Sequence, residues 1–344
     1  MEVKEVEEKQ IWEDFLLSTH PNTFLQNWNW GVFNHSIGRK IFRLGIFSES
    51  KLVGICLLLK YESKLANYFY APRGPVLTWE DPKTFDLLLD KIKLLSREES
   101  VDFLKLDPLL EESKENQDIF SLRGFKKAVT FVQVEDAWLI DLSKSEDELL
   151  AEMRKTTRYL VRNEPKQGIK VEVSDSLEDI EAFADLLYQT AGRKNFVNHP
   201  KSYYIKQFEI LAPKSEMKLF KSFKNGNVQA MAVVAFYGDS AYYLHGASVP
   251  GSSSVGYSLQ WEAIKEAKRR GLKYYNFWGV VKDKHFHPGH PWYGFSFFKK
   301  GFGGFKYSYL RAQDLPYTNK YWLYRAAELA RRLGKRLTQG YWED

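Results

Sequence analysis

Hydrophobic and polar positions along this chain repeat one arrangement twice. IFSESKLVGICLLLKY alternates as a strand, a polar turn and a second strand with a long apolar run, and NYFYAPRGP follows as a third strand. FDLLLDKIKLL has helical spacing, and VDFLKLDP returns to strand character. The same order recurs in SFKNGNVQAMAVVAFYG, SAYYLHGAS, the helical LQWEAIKEAKRRG and the strand YYNFWGV, with Asn225 and Gly226 as a hairpin signal. The offset between copies drifts only from about 176 to about 171 residues, a repeat signature. The pattern predicts tandem α/β domains with mixed sheets. DLSKSEDELL starts a new helix, with Ser145 and Glu148 at capping-box spacing. That places the boundary near Leu142 to Ser145, so that residues 1–142 form a first domain and 143–314 a second. After YYNFWGV comes GFSFFKKGFGG, a glycine-rich basic element with Lys299 and Lys300 beside Gly301, Gly303 and Gly304. Cations on a chain that can approach closely suit a charged ligand or a developing oxyanion. On pattern alone the element equally reads as a hydrophobic strand ending in a flexible turn.

Composition adds bounds. A length of 344 residues suggests about two domains. The aromatic surplus fits flat ligand surfaces and large cores alike. The single cysteine, Cys56, stands in the apolar run GICLLLK, so a buried, inert thiol and a reducing compartment are expected. The charged N-terminus has no apolar signal core, and no stretch approaches a membrane span, so the expected location is the cytoplasm. The net charge of +6 is modest, but its distribution is uneven. RKTTRYLVR puts Arg154, Arg158 and Arg162 at i, i+4 and i+8 on one expected helix face, flanked by Lys155 and Lys166. Arg325, Arg331, Arg332, Lys335 and Arg336 crowd the C-terminus. Such runs are usually solvated faces; the other reading is a track for phosphates. His285, His287 and His290 lack a clear fourth ligand, so a loop is expected there and no metal.

In order along the chain, NWNWGVF, YAPRGPV, FLKLDP, RKTTRYLVRNEPKQGIKVEV, RKNFVNHPKSYY and the stretch from Tyr242 to Leu310 resemble the FemABX family. These non-ribosomal peptidyltransferases move an amino acid from aminoacyl-tRNA onto a peptidoglycan precursor. The resemblance implies two tandem GNAT-like (GCN5-related acyltransferase) domains, the first completed by the C-terminal segment 315–344 and the second carrying most of the site. The long helical hairpin that some members insert is expected to be absent, because only KSYYIKQFEILAPKSEMKLF separates helix from strand at that place. By resemblance, Lys299 stabilises the transferred acyl group or the tRNA end, Asp107 orients the acceptor amine or holds a cation, and Tyr243 donates a hydrogen bond. Arg193, Lys194, His199 and Tyr203, together with Asn34, Arg73 and His245, are implied as precursor contacts. Arg154, Lys155, Arg158, Arg162 and Lys300 are implied as tRNA contacts. Two positions depart from the family pattern: His199 stands where some members have arginine before the proline, and Asn34 where some have lysine after the early tryptophan. Both weigh against a soluble UDP-linked acceptor and leave a lipid-linked one open. The implied partners are aminoacyl-tRNA and a peptidoglycan precursor, with peripheral contact at the inner membrane surface if the acceptor is lipid-linked. The implied enzyme is a monomer without a cofactor.

Aminoacyl transfer needs a neutral amine aimed at an ester carbonyl and a stabilised oxyanion. It requires no covalent nucleophile, and no Ser-His-Asp order or Cys-His pair stands out. An acyl-CoA-dependent N-acyltransferase would need a glycine-rich turn cradling pyrophosphate at a helix start. VPGSSSVGYS and LTWEDPKTF, at the two corresponding places, lack that pattern. A non-catalytic RNA- or precursor-binding protein is the third reading.

Overall fold

The computed structural model describes residues 1–194, 197–251 and 255–339. In chain order come β1 (Glu2–Glu5), α1 (Lys9–Ser18), α2 (Trp28–Ser36), β2 (Ile41–Ser48), β3 (Lys51–Tyr61), β4 (Tyr68–Ala71), β5 (Val76–Leu77), α3 (Pro82–Glu98), β6 (Phe103–Leu106), α4 (Lys114–Ser121) and β7 (Lys126–Lys127). They are followed by β8 (Asp136–Asp141), α5 (Glu146–Glu152), α6 (Lys155–Asn163), β9 (Ile169–Ser174), α7 (Leu177–Lys194), α8 (Lys201–Leu211), β10 (Met217–Lys224), β11 (Asn227–Tyr237) and β12 (Ser240–Ser248). The chain ends with α9 (Gly256–Arg269), β13 (Tyr274–Gly279), α10 (Tyr293–Lys300), β14 (Phe305–Ser308), β15 (Gln313–Pro316) and α11 (Lys320–Gln339). Two compact units result. One comprises Met1–Asp136, Val281–Phe286 and Ser308–Asp344; the other comprises Ala137–Val280 and His287–Tyr307.

In the first unit the strands run β1-β2-β3-β4-β6-β15-β7, with β5 paired to β3. Glu49 and Ser50 both take left-handed backbone (φ 49° and 72°) and close the β2–β3 hairpin. β4 and β6 pair in parallel, which requires a crossover; α3 supplies it. Asp81 caps α3 by accepting from the Lys83 N–H, ahead of Pro82 at the first helical position. Phe85, Leu88 and Ile92 of that helix pack over Leu44, Leu58, Phe69 and Leu104. Cys56 is buried in the same core, and burial pushes its thiol pKa far up, so it is an inert packing group. β15 enters late in the chain and pairs antiparallel with both β6 and β7.

In the second unit the order is β14-β8-β13-β12-β11-β10-β9. The β10–β11 hairpin turns on Asn225 and Gly226, both at positive φ, as the sequence predicted. The capping box of α5 forms as expected, with Ser145 and Glu148 exchanging hydrogen bonds. Between α7 and β10 stands α8, of eleven residues. α9 packs Leu259, Ala263 and Ile264 over Phe220, Val234 and Phe277, and crosses between the parallel strands β12 and β13.

The parallel pairing is short in both units, and in the second unit one strand runs on past its end. β12 runs to Ser248, yet it pairs with β13 only from Ser240 to Tyr242. Beyond that point β13 slips register against β8 between Asn276 and Gly279, and Trp278 takes a left-handed φ of 64°. A bulky residue in that region is strained and is held there by its surroundings. Here the Asn276 side chain accepts the Trp278 N–H at 2.7 Å. In the first unit the parallel pair ends at Ala71 and Leu106, next to Arg73 at φ 53° and to Asp107.

Two local expectations are corrected. GFSFFKKGFGG is not a strand: Tyr293–Lys300 is helical. Phe295, Phe298 and Phe302 lie at helical spacing, and Phe298 and Phe302 pack on Tyr257. The glycines serve the fold's own packing: a Cβ on Gly304 would overlap the Leu139 carbonyl. The second correction concerns Arg154. α6 begins at Lys155, so Arg154 is its N-cap rather than a residue of the helix.

Candidate functional site

The strand ends of the second unit hold the chemically loaded residues. Lys299 comes from the last turn of α10 and is only 7% exposed. Its Nζ donates to the Gly279 carbonyl at 2.6 Å, at the end of β13 and beyond the last pair that β13 makes with β12. The ammonium also lies 4.6 Å from the centre of the Phe295 ring and 6.0 Å from that of Tyr243. Burial lowers the Lys299 pKa to about 7, so amine and ammonium coexist near neutrality. Perturbed groups of this kind mark candidate sites. Tyr243 is on the unpaired half of β12, and burial pushes its pKa up to about 12, which keeps the hydroxyl a donor. A Cβ on Gly246 would overlap that hydroxyl, so the glycine makes room for it.

Tyr243 and Gly246 help line a cavity of about 190 Å³ together with Thr190, Ser248, Gly256 and Phe298. Arg193 reaches the same edge, donating to the Ser248 carbonyl and to Thr190 Oγ1. Next to it, His199 stacks on Tyr203 at 4.0 Å, and His245 meets the edge of Tyr204 at 5.0 Å. Burial, and then His199, depress the His245 pKa to about 4, so this imidazole is neutral at physiological pH. The structure therefore gathers Arg193, His199, Tyr203, Tyr243 and His245 around α7, α8 and β12. Lys194 ends α7, and its side chain lies outside the described residues.

In the first unit Asp107 is fully buried at the end of β6. Its two oxygens accept from the Tyr70 hydroxyl and the Arg73 N–H, each at 2.6 Å. Burial raises its pKa, and the neighbouring Arg73 charge partly offsets that rise. The Arg73 guanidinium donates to the Val134 carbonyl and lies 3.9 Å from the Tyr309 ring centre. Asn34 is buried, with its amide engaged by the Trp30 carbonyl and the Arg39 guanidinium.

The basic residues divide into two kinds. Arg154 donates to the Phe297 carbonyl and covers that ring, and Arg158 donates to the carbonyls of Leu150 and Ala151. Lys155 and Arg162 are exposed, and Lys300 lies over the Trp138 ring at 5.3 Å.

Several residues escaped the sequence reading. Trp278 carries the strained turn, Tyr70 partners Asp107, and Glu164 caps α9 by accepting the Ser258 N–H at 2.7 Å. Only the glycine after Trp278 signalled an irregular strand end. Among the described residues, no group of three or more His, Cys, Asp or Glu could hold a metal ion, and no helix is long and apolar enough to cross a membrane.

Known proteins share this outline. The lipid II:glycine glycyltransferase of Staphylococcus aureus is 27% identical over 219 residues, covering 60% of this chain and 52% of the relative. The chain thus spans about half the length of the curated relatives it matches. A crystal structure of FemX superimposes with a TM-score of 0.85 at 20% identity, covering 95% of this chain and all of that one. A tandem GNAT protein from the clavulanic acid biosynthesis pathway matches with a TM-score of 0.57 at 10% identity, covering 92% of this chain and 98% of that one. The fold is therefore the tandem GNAT-like α/β arrangement with two mixed sheets that the sequence led us to expect. The FemAB family model matches residues 8–222 and 220–329, running through both units and every residue gathered around α7, α8 and β12, and the chain belongs to that family.

Proposed function

We propose that this protein is an aminoacyltransferase of peptidoglycan bridge formation, which takes an amino acid from aminoacyl-tRNA and joins it to a stem-peptide amine of a lipid-linked precursor. The observation that carries this reading is Lys299: a buried amine of pKa about 7, anchored at the end of β13 beyond its pairing with β12, next in sequence to Phe298, which lines the small cavity with Tyr243. As the ammonium it stabilises the oxyanion formed when the acceptor amine attacks the ester carbonyl. Tyr243 supplies a neutral donor to the same centre. In the first unit, Asp107, in a buried network with Tyr70 and Arg73, is the residue that the family resemblance assigns to the acceptor amine. Arg193, Lys194, His199, Tyr203 and His245 make up the precursor's side of the site, and Lys155, Arg162 and Lys300 the tRNA's. The nature of the acceptor is supported by the lipid II substrate named for the Staphylococcus aureus relative.

The acyl-CoA alternative is disfavoured by Glu164. Its carboxylate already takes an N–H in the first turn of α9, the helix start that a pyrophosphate would need, and repels an anion there.

The test is single-turnover transfer from charged total tRNA to purified UDP-linked and lipid-linked precursors, read by mass spectrometry. Transfer is expected to the lipid-linked acceptor, with Lys299→Met reducing the rate by about 10²–10³ while the fold persists. Transfer from acetyl-CoA instead, or wild-type rates in folded Lys299→Met, would overturn the reading.

A further inference from the structure

The C-terminal helix α11 is turned inside out. Tyr321 and Tyr324 face the first unit and pack on Phe103 at 5.2 and 4.9 Å. The charged residues on that side also point inward: Arg325 donates to the Lys127 carbonyl and Arg332 to the Val129 carbonyl. The apolar residues face away. Leu323 is 66% exposed, Leu333 50%, Trp322 49% and Leu329 44%, and on the helix they form one stripe with Ala326 and Ala330. Leu65 and Val132 are also exposed, on the loops whose Ala66 and Val129 the inner side of the helix contacts. A contiguous exposed apolar patch of this kind marks an interaction surface.

We propose that this face of α11 docks on the surface of an anionic lipid bilayer, lying in the plane of the interface. Charge complementarity chooses the occupant. From Lys320 to Gln339 the helix carries six basic residues and one acidic; Arg325 and Arg332 are turned inward, while Lys320 is exposed and Arg331, paired with Glu328, keeps a side chain 59% exposed, so the helix stays net basic. Apolar residues including a tryptophan, bordered by arginine and lysine, suit the boundary between acyl chains and anionic headgroups. A second copy of this chain would set one strongly basic helix against another, and like charges oppose that pairing.

The inference rests on the proposed function only for its purpose, because a lipid-linked acceptor has to be met at a bilayer. Its test uses neither donor nor acceptor. Co-sedimentation of the full chain is measured with phosphatidylglycerol–phosphatidylcholine vesicles and with phosphatidylcholine vesicles alone. Binding to the anionic vesicles is expected, weakening with salt. Each of Leu323→Glu and Leu333→Glu lowers the partition by about tenfold or more. Arg331→Glu, at another exposed position, weakens it independently. The two leucine variants keep the wild-type melting temperature, so that lost partition is not lost fold. Binding that is absent, equal on both vesicle types, or unchanged by the substitutions overturns the proposal. So does a dimer in sedimentation equilibrium that the leucine substitutions dissociate. Failed aminoacyl transfer with intact vesicle binding counts against the catalytic reading alone.

Discussion

At the scale of single residues, burial decides what each group can do. Lys299 was legible in the sequence as a basic residue in a distinctive motif, but its burial was not. That burial depends on α10 being a helix whose last turn faces inward, and on the Gly279 carbonyl, one residue past the strained Trp278, accepting from the amine. No local pattern announces that contact, because Lys299 and Gly279 lie 20 positions apart. Asp107 was likewise visible, whereas Tyr70, 37 positions away, was not marked as its partner. The Lys299 environment sets a stability signature apart from catalysis. Its folded pKa of about 7 lies below the ordinary 10.5, so between those values the unfolded chain binds more protons. This group's contribution is full above 10.5, rises with pH through the window, and is lost as pH falls toward 7. Urea unfolding of Lys299→Met across that range should lack a component of up to about 1.4 kcal/mol per pH unit that the wild type displays. Parallel stability profiles for the two proteins would show that the amine is better solvated than its surroundings imply.

At the scale of elements, hairpins, crossover helices and the α5 cap were readable because each is written locally: Asn225–Gly226 for a turn, Ser145–Glu148 for a cap, apolar spacing for α3 and α9. α10 was misread because aromatic density and adjacent glycines imitate a strand ending in a turn. The helical spacing of Phe295, Phe298 and Phe302 was the stronger signal. The sequence put Arg154, Arg158 and Arg162 on one track, and in the structure Arg154 and Arg158 donate to carbonyls of their own unit. Lys155 and Arg162 are the exposed pair. Lys155→Glu with Arg162→Glu should therefore weaken tRNA binding and lower its log–log salt slope by about 0.9 per lost phosphate contact. Arg154→Gln should leave the slope unchanged and lower the melting temperature, since it strips a donor from the Phe297 carbonyl. Filter binding over a salt series separates the two, and an unaltered slope in the Lys155/Arg162 variant assigns that face to solvent.

At the scale of the whole molecule, the duplicated unit was the most legible feature, because the repeat preserves strand and helix order even where residues diverge. The closure of the first unit is less local. β15 arrives more than 200 residues after β6 and pairs with it, and the junction is secured by Lys105 and Asp314. Their 2.6 Å ion pair is almost wholly buried, with the Lys105 ammonium also donating to the Thr130 carbonyl. Burial raises the Asp314 pKa, and Lys105 holds it down against that rise. The pair fixes which strand completes the sheet, since any other segment placed there would leave a buried charge unmatched. Removing one partner should then be far worse than removing both. Lys105→Met is expected to cost about 3–5 kcal/mol by stranding the Asp314 carboxylate, whereas Lys105→Met combined with Asp314→Leu should recover most of that loss. Chemical denaturation of the single and double variants measures the coupling directly. A double variant no more stable than the single would mean that Thr130, Tyr321 and the strand ladder, rather than the ion pair, hold the C-terminal strand in place.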